Sequence, residues 1–303
     1  MKDFRFGCLC LAVAAMLALF AFPTRRQDSE RYNLTAIVDI TRSMNAEDYR
    51  IGDQAVSRLT FVKHRLRELA GQLPCGSKLG LGIFTERRTT LLYRPIEVCA
   101  GYNELQHSIA ALDWRMAWAA DSRIANGLLN AMELLQAQDS AMMFISDGQE
   151  APPLNPRYRS DFSAIKGQLK GLIVGSGGLQ AVPIPKFDAK GQRTGIYGPD
   201  DVPHRSSFGE SDLNPEKIEG YDARNAPFGK HAASGSEHLS AMQEAYLQQL
   251  ADESGLIYRR LQQDSPLLDI VRDAKLFESA IADTDQRHLF ALLALTALLL
   301  SRL

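Results

Sequence analysis

Nothing in this sequence announces a reaction. Four cysteines in 303 residues are too few for a disulfide scaffold. The six histidines, His64, His107, His204, His231, His238 and His288, form neither H-x-x-E-H nor H-E-x-x-H, which removes the common zinc-hydrolase signatures. Thirty-four Lys+Arg against 36 Asp+Glu leave a formal charge of −2, so there is no overall basic footprint for nucleic acid. Gly175-Ser176-Gly177-Gly178 lacks the Gly-Lys-Ser/Thr ending of a phosphate loop and reads as a strand-to-loop turn. No Ser-His-Asp order and no cofactor fingerprint occurs, so catalysis is not expected. What is present is ordinary: 45% hydrophobic and 23% charged residues, the balance of a folded globular chain.

The long apolar runs sit at the two ends. Phe6–Phe22 (FGCLCLAVAAMLALFAF) carries no charge and follows Lys2 and Arg5. As a helix it is about 25 Å long, near the lower limit for crossing a bilayer. A cleaved signal peptide competes with that reading. The cleavage pattern is poor, however: Ala21 has Leu19 two positions earlier, and Pro23-Thr24-Arg25-Arg26 follows. An uncleaved anchor with its linker is therefore expected over residues 1–32. Leu289–Leu300 (LFALLALTALLL) lies in a second expected membrane segment, 287–303. That run is short for a span unless Arg302 snorkels and the bilayer thins, and a buried or interfacial helix is its alternative. Before it, Leu267, Ile270, Val271, Ala274, Phe277 and Ile281 predict an amphipathic helix over 263–286. Lys and Arg flank both sides of the first run, so their count does not orient the chain.

Between the ends, strands and helices alternate. Asn33–Ile40 reads as a strand and Arg58–Leu73 as a helix. Lys78–Phe84 and Thr89–Ile96 read as a hairpin, Ser122–Gln138 as a second helix, and Ser140–Ser146 as a strand that delivers Asp147. A strand from Gly171, a helix over Met242–Glu253 and a strand near Leu256–Tyr258 follow. The pattern predicts an α/β domain over 33–262, a doubly wound and mostly parallel sheet with one antiparallel edge strand. Cys75 and Cys99 are equidistant from the hairpin turn and face each other across it. A disulfide there would contribute about 3 kcal/mol in the chain-entropy model and would place the domain in an oxidising compartment, the periplasmic side. Two buried free thiols are the alternative.

In such sheets ligands bind beyond the carboxyl ends of the strands. There the sequence places Asp39, Thr41 and Ser43 as D-x-T-x-S, then Ser122 at a helix start, then Asp147 after another strand. Two carboxylates and three hydroxyls from three loops suit Mg²⁺ or Ca²⁺, with Mn²⁺ also acceptable, and disfavour Zn²⁺ and Cu²⁺. D-x-T-x-S alone is a weak signal, because acidic residues often end strands. Thr41 stands where an aspartyl-nucleophile phosphatase needs its acid/base carboxylate, so that enzyme class is a poor fit.

These residues resemble a von Willebrand factor A domain with its metal-ion-dependent adhesion site, D-x-S-x-S…T…D. Thr41 replaces a Ser and Ser122 replaces the Thr, each keeping a hydroxyl. The resemblance implies a non-enzymatic domain whose cation leaves one place for a partner's acidic side chain. Arg42–Tyr49 (RSMNAEDY) and Leu247–Tyr258 are similar to bacterial membrane-anchored A-domain proteins of the Bat type. Pro74-Cys75-Gly76-Ser77, Pro95–Cys99, Asp113–Trp118, Asp147–Leu154 and Pro183–Asp188 resemble the MxaL-type proteins of methanol dehydrogenase gene clusters. That narrower resemblance implies a role in calcium incorporation into a periplasmic methanol dehydrogenase. The partner would be that enzyme or another maturation protein, engaged from the inner membrane. A stress-tolerance or assembly scaffold is the alternative. Arg42, Trp114, Trp118 and Glu150 are candidate partner-binding residues. The irregular stretch 179–235, rich in Pro, Gly, Asp and Lys, is read as an insertion near the metal face.

Overall fold

In the computed structural model, residues 2–117, 122–151, 160–201 and 238–302 are described. The chain forms two units, Tyr32–Phe277 and a terminal unit made of Met1–Arg31 with Glu278–Leu303. Helix α1 (Lys2–Ala21) leads into strand β1 (Thr24–Asp39), and a short 3-10 turn, Arg42–Asn45, follows. A small hairpin of β2 (Tyr49–Ile51) and β3 (Gln54–Val56) precedes α2 (Arg58–Gln72). Then come β4 (Lys78–Thr85), β5 (Arg88–Glu97), α3 (Tyr102–Ala110), α4 (Ile124–Gln136), β6 (Ala141–Ser146) and β7 (Gly171–Ser176). Short strands β8 (Val182–Pro183), β9 (Pro185–Phe187), β10 (Arg193–Ile196) and β11 (Leu239–Ser240) precede α5 (Glu244–Ser254) and β12 (Ile257–Leu261). The chain ends with α6 (Leu267–Asp273), β13 (Phe277–Asp285) and α7 (Arg287–Leu300).

The main sheet runs β12-β7-β6-β1-β4-β5, parallel throughout except for the antiparallel edge strand β5, and β13 pairs with β1. This is the expected doubly wound arrangement. Period-2 alternation in β1 explains how both faces are covered. Leu34, Ala36 and Val38 join one core with Phe61, Val62 and Leu66 of α2 and Leu105 of α3. Ile37 joins the opposite core with Leu128 and Met132 of α4 and Leu247 and Leu250 of α5. Helix α4 lies tight on the sheet because Gly127 has no side chain. A Cβ there would meet the Phe84 ring at 2.1 Å. That close seat fixes where the loop before α4 arrives.

The expected edges need three corrections. The N-terminal linker is absent as such, since β1 already begins at Thr24, well before the expected Asn33. The single amphipathic helix over 263–286 is instead α6 followed by β13. Helix α6 is capped at Ala274, and Lys275 takes a φ of 53°, a left-handed conformation that no α-helix continues through. Cys75 and Cys99 are bonded with Cα atoms 5.4 Å apart, but they sit just beyond the last ladder pair, Lys78 with Glu97, and not on the ladder. The Glu97 carboxylate braces both turns. It accepts from the amides of Gly76 (2.7 Å) and Ala100 (2.6 Å), and these bonds hold its pKa below the ordinary value.

Part of the expected insertion, 179–201, is built. β8 pairs with β11, β9 pairs with β10, and Ile184 and Tyr197 form a small core of their own. Residues 202–237 lie outside the described residues.

Candidate functional site

Asp39 ends β1 with no exposed surface. One carboxylate oxygen accepts from the Thr41 amide (2.9 Å) and the Thr41 hydroxyl (2.7 Å), a turn closed by the residue two positions on. The other oxygen accepts from the Ser146 hydroxyl at 2.7 Å. Ser43 follows on the 3-10 turn, its Oγ 3.5 Å from that of Thr41. Asp147, also fully buried, leaves β6 beside them, so the loops of two adjacent parallel strands bring the acids together. Burial, and after it the negative charge of Asp147, push the Asp39 pKa up to about 7, against the pull of the Ser146 and Thr41 hydrogen bonds.

Ser122 is held by backbone on two sides. It bridges Glu86, just past β4, and exchanges hydrogen bonds with Ala151 past β6 (2.7 and 2.9 Å). Both strands flank β1, so Ser122 stands at the same carboxyl end of the sheet as Asp39 and Asp147. Its hydroxyl is buried and has no hydrogen-bond partner among the described residues. A buried hydroxyl without a partner is costly in a native core, and a water or an ion is what commonly satisfies it.

The residue that sequence reading missed is Arg58, the first of α2. Its side chain has no exposed surface, which is rare for arginine. The guanidinium donates to Asp147 Oδ2 at 2.7 Å, to the Ser240 hydroxyl at 2.6 Å, and to Asp48 at 2.6–3.1 Å. Burial works against its charge, but Asp147 and Asp48 more than offset that and hold its pKa above the ordinary value. The fit is tight: a Cβ on Gly177 would meet Arg58 Nε at 2.6 Å, and Gly177 has a φ of +126° that only glycine adopts readily. Helical periodicity carries no sign of this, because the first residue of a helix belongs to no apolar stripe. The only hint is Asp48 ten residues earlier. Ser146 was visible as a strand end, not as the donor that orients Asp39.

The candidate donors Asp39, Thr41, Ser43, Ser122 and Asp147 all offer oxygen, and among the described residues the Ser122 hydroxyl has no partner. Of three buried or nearly buried carboxylates, Asp48 and Asp147 share the one buried guanidinium, while Asp39 is held by hydroxyl and amide groups alone. That excess of negative charge is what a hard divalent cation balances, so these residues fit such an ion. The glycine-rich turn after β7 is no phosphate cradle, since the Gly177 amide donates to the Tyr49 hydroxyl and the Gly178 amide to Asp48.

Around this centre the candidate partner residues fall differently. Arg42 is half-buried, its guanidinium 4.7 Å from the Tyr197 ring centre, so the end of the β9–β10 ribbon borders the Asp39–Ser43 loop. Trp114 is half-buried, stacked on Phe187 of β9 with ring centres 5.6 Å apart. Trp118 lies outside the described residues. Glu150 turns inward: it accepts from the Tyr246 hydroxyl (2.7 Å) and the Ala125 amide (3.2 Å), and burial raises its pKa. It braces the start of α4 rather than offering itself to a partner.

No curated protein matches the chain. Among solved structures it is similar to an aerotolerance-related membrane protein from Bacteroides fragilis, with 15% identity over 80% of this chain and 98% of that one and a TM-score of 0.49. A membrane-spanning protein from Vibrio fischeri shows 18% identity over 81% and 98%, TM-score 0.30. The PilB minor pilin from Streptococcus sanguinis shows 14% over 82% and 61%, TM-score 0.39. Residues 34–149, which contain all five candidate ligands, match the family described as von Willebrand factor type A domain, and the doubly wound sheet has that fold.

Proposed function

We propose that the body is a non-enzymatic, divalent-cation-dependent protein-binding domain, held at the bacterial inner membrane on its periplasmic side. Asp39, Thr41, Ser43, Ser122 and Asp147 would hold Mg²⁺ or Ca²⁺, with Mn²⁺ also compatible. When bound, the ion supplies a hard point of attachment for an acidic side chain of the partner. The protein's own residues do the positioning. Ser146 and Thr41 fix the Asp39 carboxylate, Arg58 fixes that of Asp147, and Gln149 donates its amide to Asp147 Oδ1 at 3.0 Å. The observation that carries this reading is the buried, unpartnered Ser122 hydroxyl at the same sheet end as two buried carboxylates.

The Cys75–Cys99 bond, of a kind that persists in oxidising surroundings, supports the periplasmic side. On the short strings that resemble MxaL-type proteins, we take the partner to be a periplasmic methanol dehydrogenase or one of its maturation proteins, and the role to be calcium incorporation. A Bat-type membrane scaffold would use the same site on a different partner. Phosphatase chemistry is disfavoured because Thr41 spends its hydroxyl on Asp39 and no second acid stands in its place.

Two measurements test this. Calorimetric titration of the full chain in detergent should show one Mg²⁺ or Ca²⁺ site that Asp39→Ala removes while circular dichroism is unchanged. No binding to the wild type would end the cation reading. Methanol dehydrogenase from cells lacking this protein should be calcium-poor, inactive and rescued by added calcium. Fully loaded, active enzyme would leave the cation site with another partner.

A further inference from the structure

The terminal unit is built inside out for water. In it Ala12, Ala15, Ala294 and Ala297 are at most 5% exposed, while Leu17, Leu292 and Leu299 are each at least 62% exposed. Small residues are inside and large apolar ones outside, the distribution of helices that pack against each other in lipid. Helices α1 and α7 do pack against each other. Their relative direction follows from one junction: the Gln286 amide donates to the Pro23 carbonyl (3.1 Å) and its side chain to the Phe22 carbonyl (3.0 Å), so the end of α1 meets the start of α7. Helices that touch along their length from such a junction are antiparallel.

Counting back along α1 and forward along α7 from that junction gives a register. Leu19 comes level with Phe290, Ala15 with Ala294, Ala12 with Ala297, and Cys8 with Ser301. Every residue in those pairs is buried or half-buried, while nearly all their neighbours are exposed, so the register is also the contact seam. The same count brings Arg302 level with Gly7, with Arg5 about 3 Å beyond it. At the other end Arg25, Arg26 and Arg287 stand close to the junction. The charge-free stretches of both helices therefore begin and end at matching depths, although α7 is the shorter.

We infer that α1 and α7 form one antiparallel transmembrane hairpin whose outer face is covered by a lipid bilayer. The first helix is retained in the mature protein as the partner of the second. Residues 2–5 and 301–302 lie on one side of the membrane, and residues 32–277 on the other. Pairing answers the shortness of α7, because its last turn rests on α1 and Arg302 reaches the headgroups at the level of Arg5. The inference does not depend on the cation site.

The test uses a native thiol. In the full-length chain in native membranes, Ser301→Cys should be cross-linked to Cys8 by a short bifunctional maleimide, giving a product that survives reduction of the Cys75–Cys99 bond. Cys8→Ser should abolish it, and Leu299→Cys, on the opposite face of α7, should not form it. A thiol-specific reagent that cannot cross the membrane should modify Arg302→Cys and Gln27→Cys from opposite sides. Removal of residues 1–22 from the mature chain would overturn the inference. So would modification of both cysteines from one side, which would make α7 interfacial, or cross-linking only between two chains, which would make a second copy its partner.

Discussion

The two units of this chain obey opposite rules. In Tyr32–Phe277 the large apolar residues Leu34, Phe61, Phe84 and Phe144 are sealed inside, whereas in the terminal unit Phe20, Leu17 and Leu292 point outward and Ala12, Ala15, Ala294 and Ala297 are inside. Similar residue types thus serve two solvents. In the body, burial from water drives packing at about 25 cal/mol per Å². Between α1 and α7 the outward apolar surface has no such drive once lipid surrounds it, and close approach of small residues takes over.

That contrast can be broken most severely at Arg58. Arg58→Met should cost the body about 3–5 kcal/mol, because Asp147 and Asp48 are left buried without their counter-charge. Denaturant unfolding of the full chain in detergent reads it, and an unchanged midpoint would mean that the pair is dispensable. A loss of similar size, about 3–5 kcal/mol, is expected for Phe144→Ala in the sealed core, whereas Leu292→Ala on α7 should leave the unfolding of the body unmoved.

The next effect is pH-dependent. With the Asp39 pKa raised from 3.8 to about 7, the folded, metal-free body holds a proton that the unfolded chain has already released. Stability should therefore fall as pH rises from about 4 to 7, by a few kcal/mol at most. Asp39→Asn should flatten that slope, and a saturating divalent cation should reduce it. A metal-free wild type with a flat profile over that range would contradict the buried acid pair.

Removing the disulfide with Cys75→Ser and Cys99→Ser should lower stability by about 3 kcal/mol, or by less if the Glu97 hydrogen bonds keep the two turns together. Within the candidate site the smallest stability effect is expected at Ser122→Ala. Its hydroxyl has no partner to lose, so the metal-free body should change by about 0.5 kcal/mol or less while cation affinity drops. An equal affinity in that variant would remove Ser122 from the ligand set.

Much of this was legible in the chain. Alternation of Leu34, Ala36 and Val38 against Ile37 marks a strand covered on both faces, and D-x-T-x-S after it marks the loop where oxygen ligands collect. What escaped was non-local. The run Phe277–Asp285 satisfies a helical stripe with Phe277 and Ile281 as readily as it satisfies a strand. Only pairing with β1, some 250 residues earlier, decides between them. Arg58 reads as an ordinary surface charge until Asp48, Asp147 and Ser240 converge on it.

Most of the order of strands and helices in the body, the oxygen-rich loop chemistry and the two apolar ends can be read from the chain alone, because each is written in residue types close together in sequence. Folding settles the rest: which carboxylates share the buried guanidinium, which hydroxyl has no partner among the described residues, and which helix faces meet at the ends. Those are matters of distance between residues remote in sequence, where burial lowers the local dielectric and makes each pairing, or its absence, count for far more than it would in water.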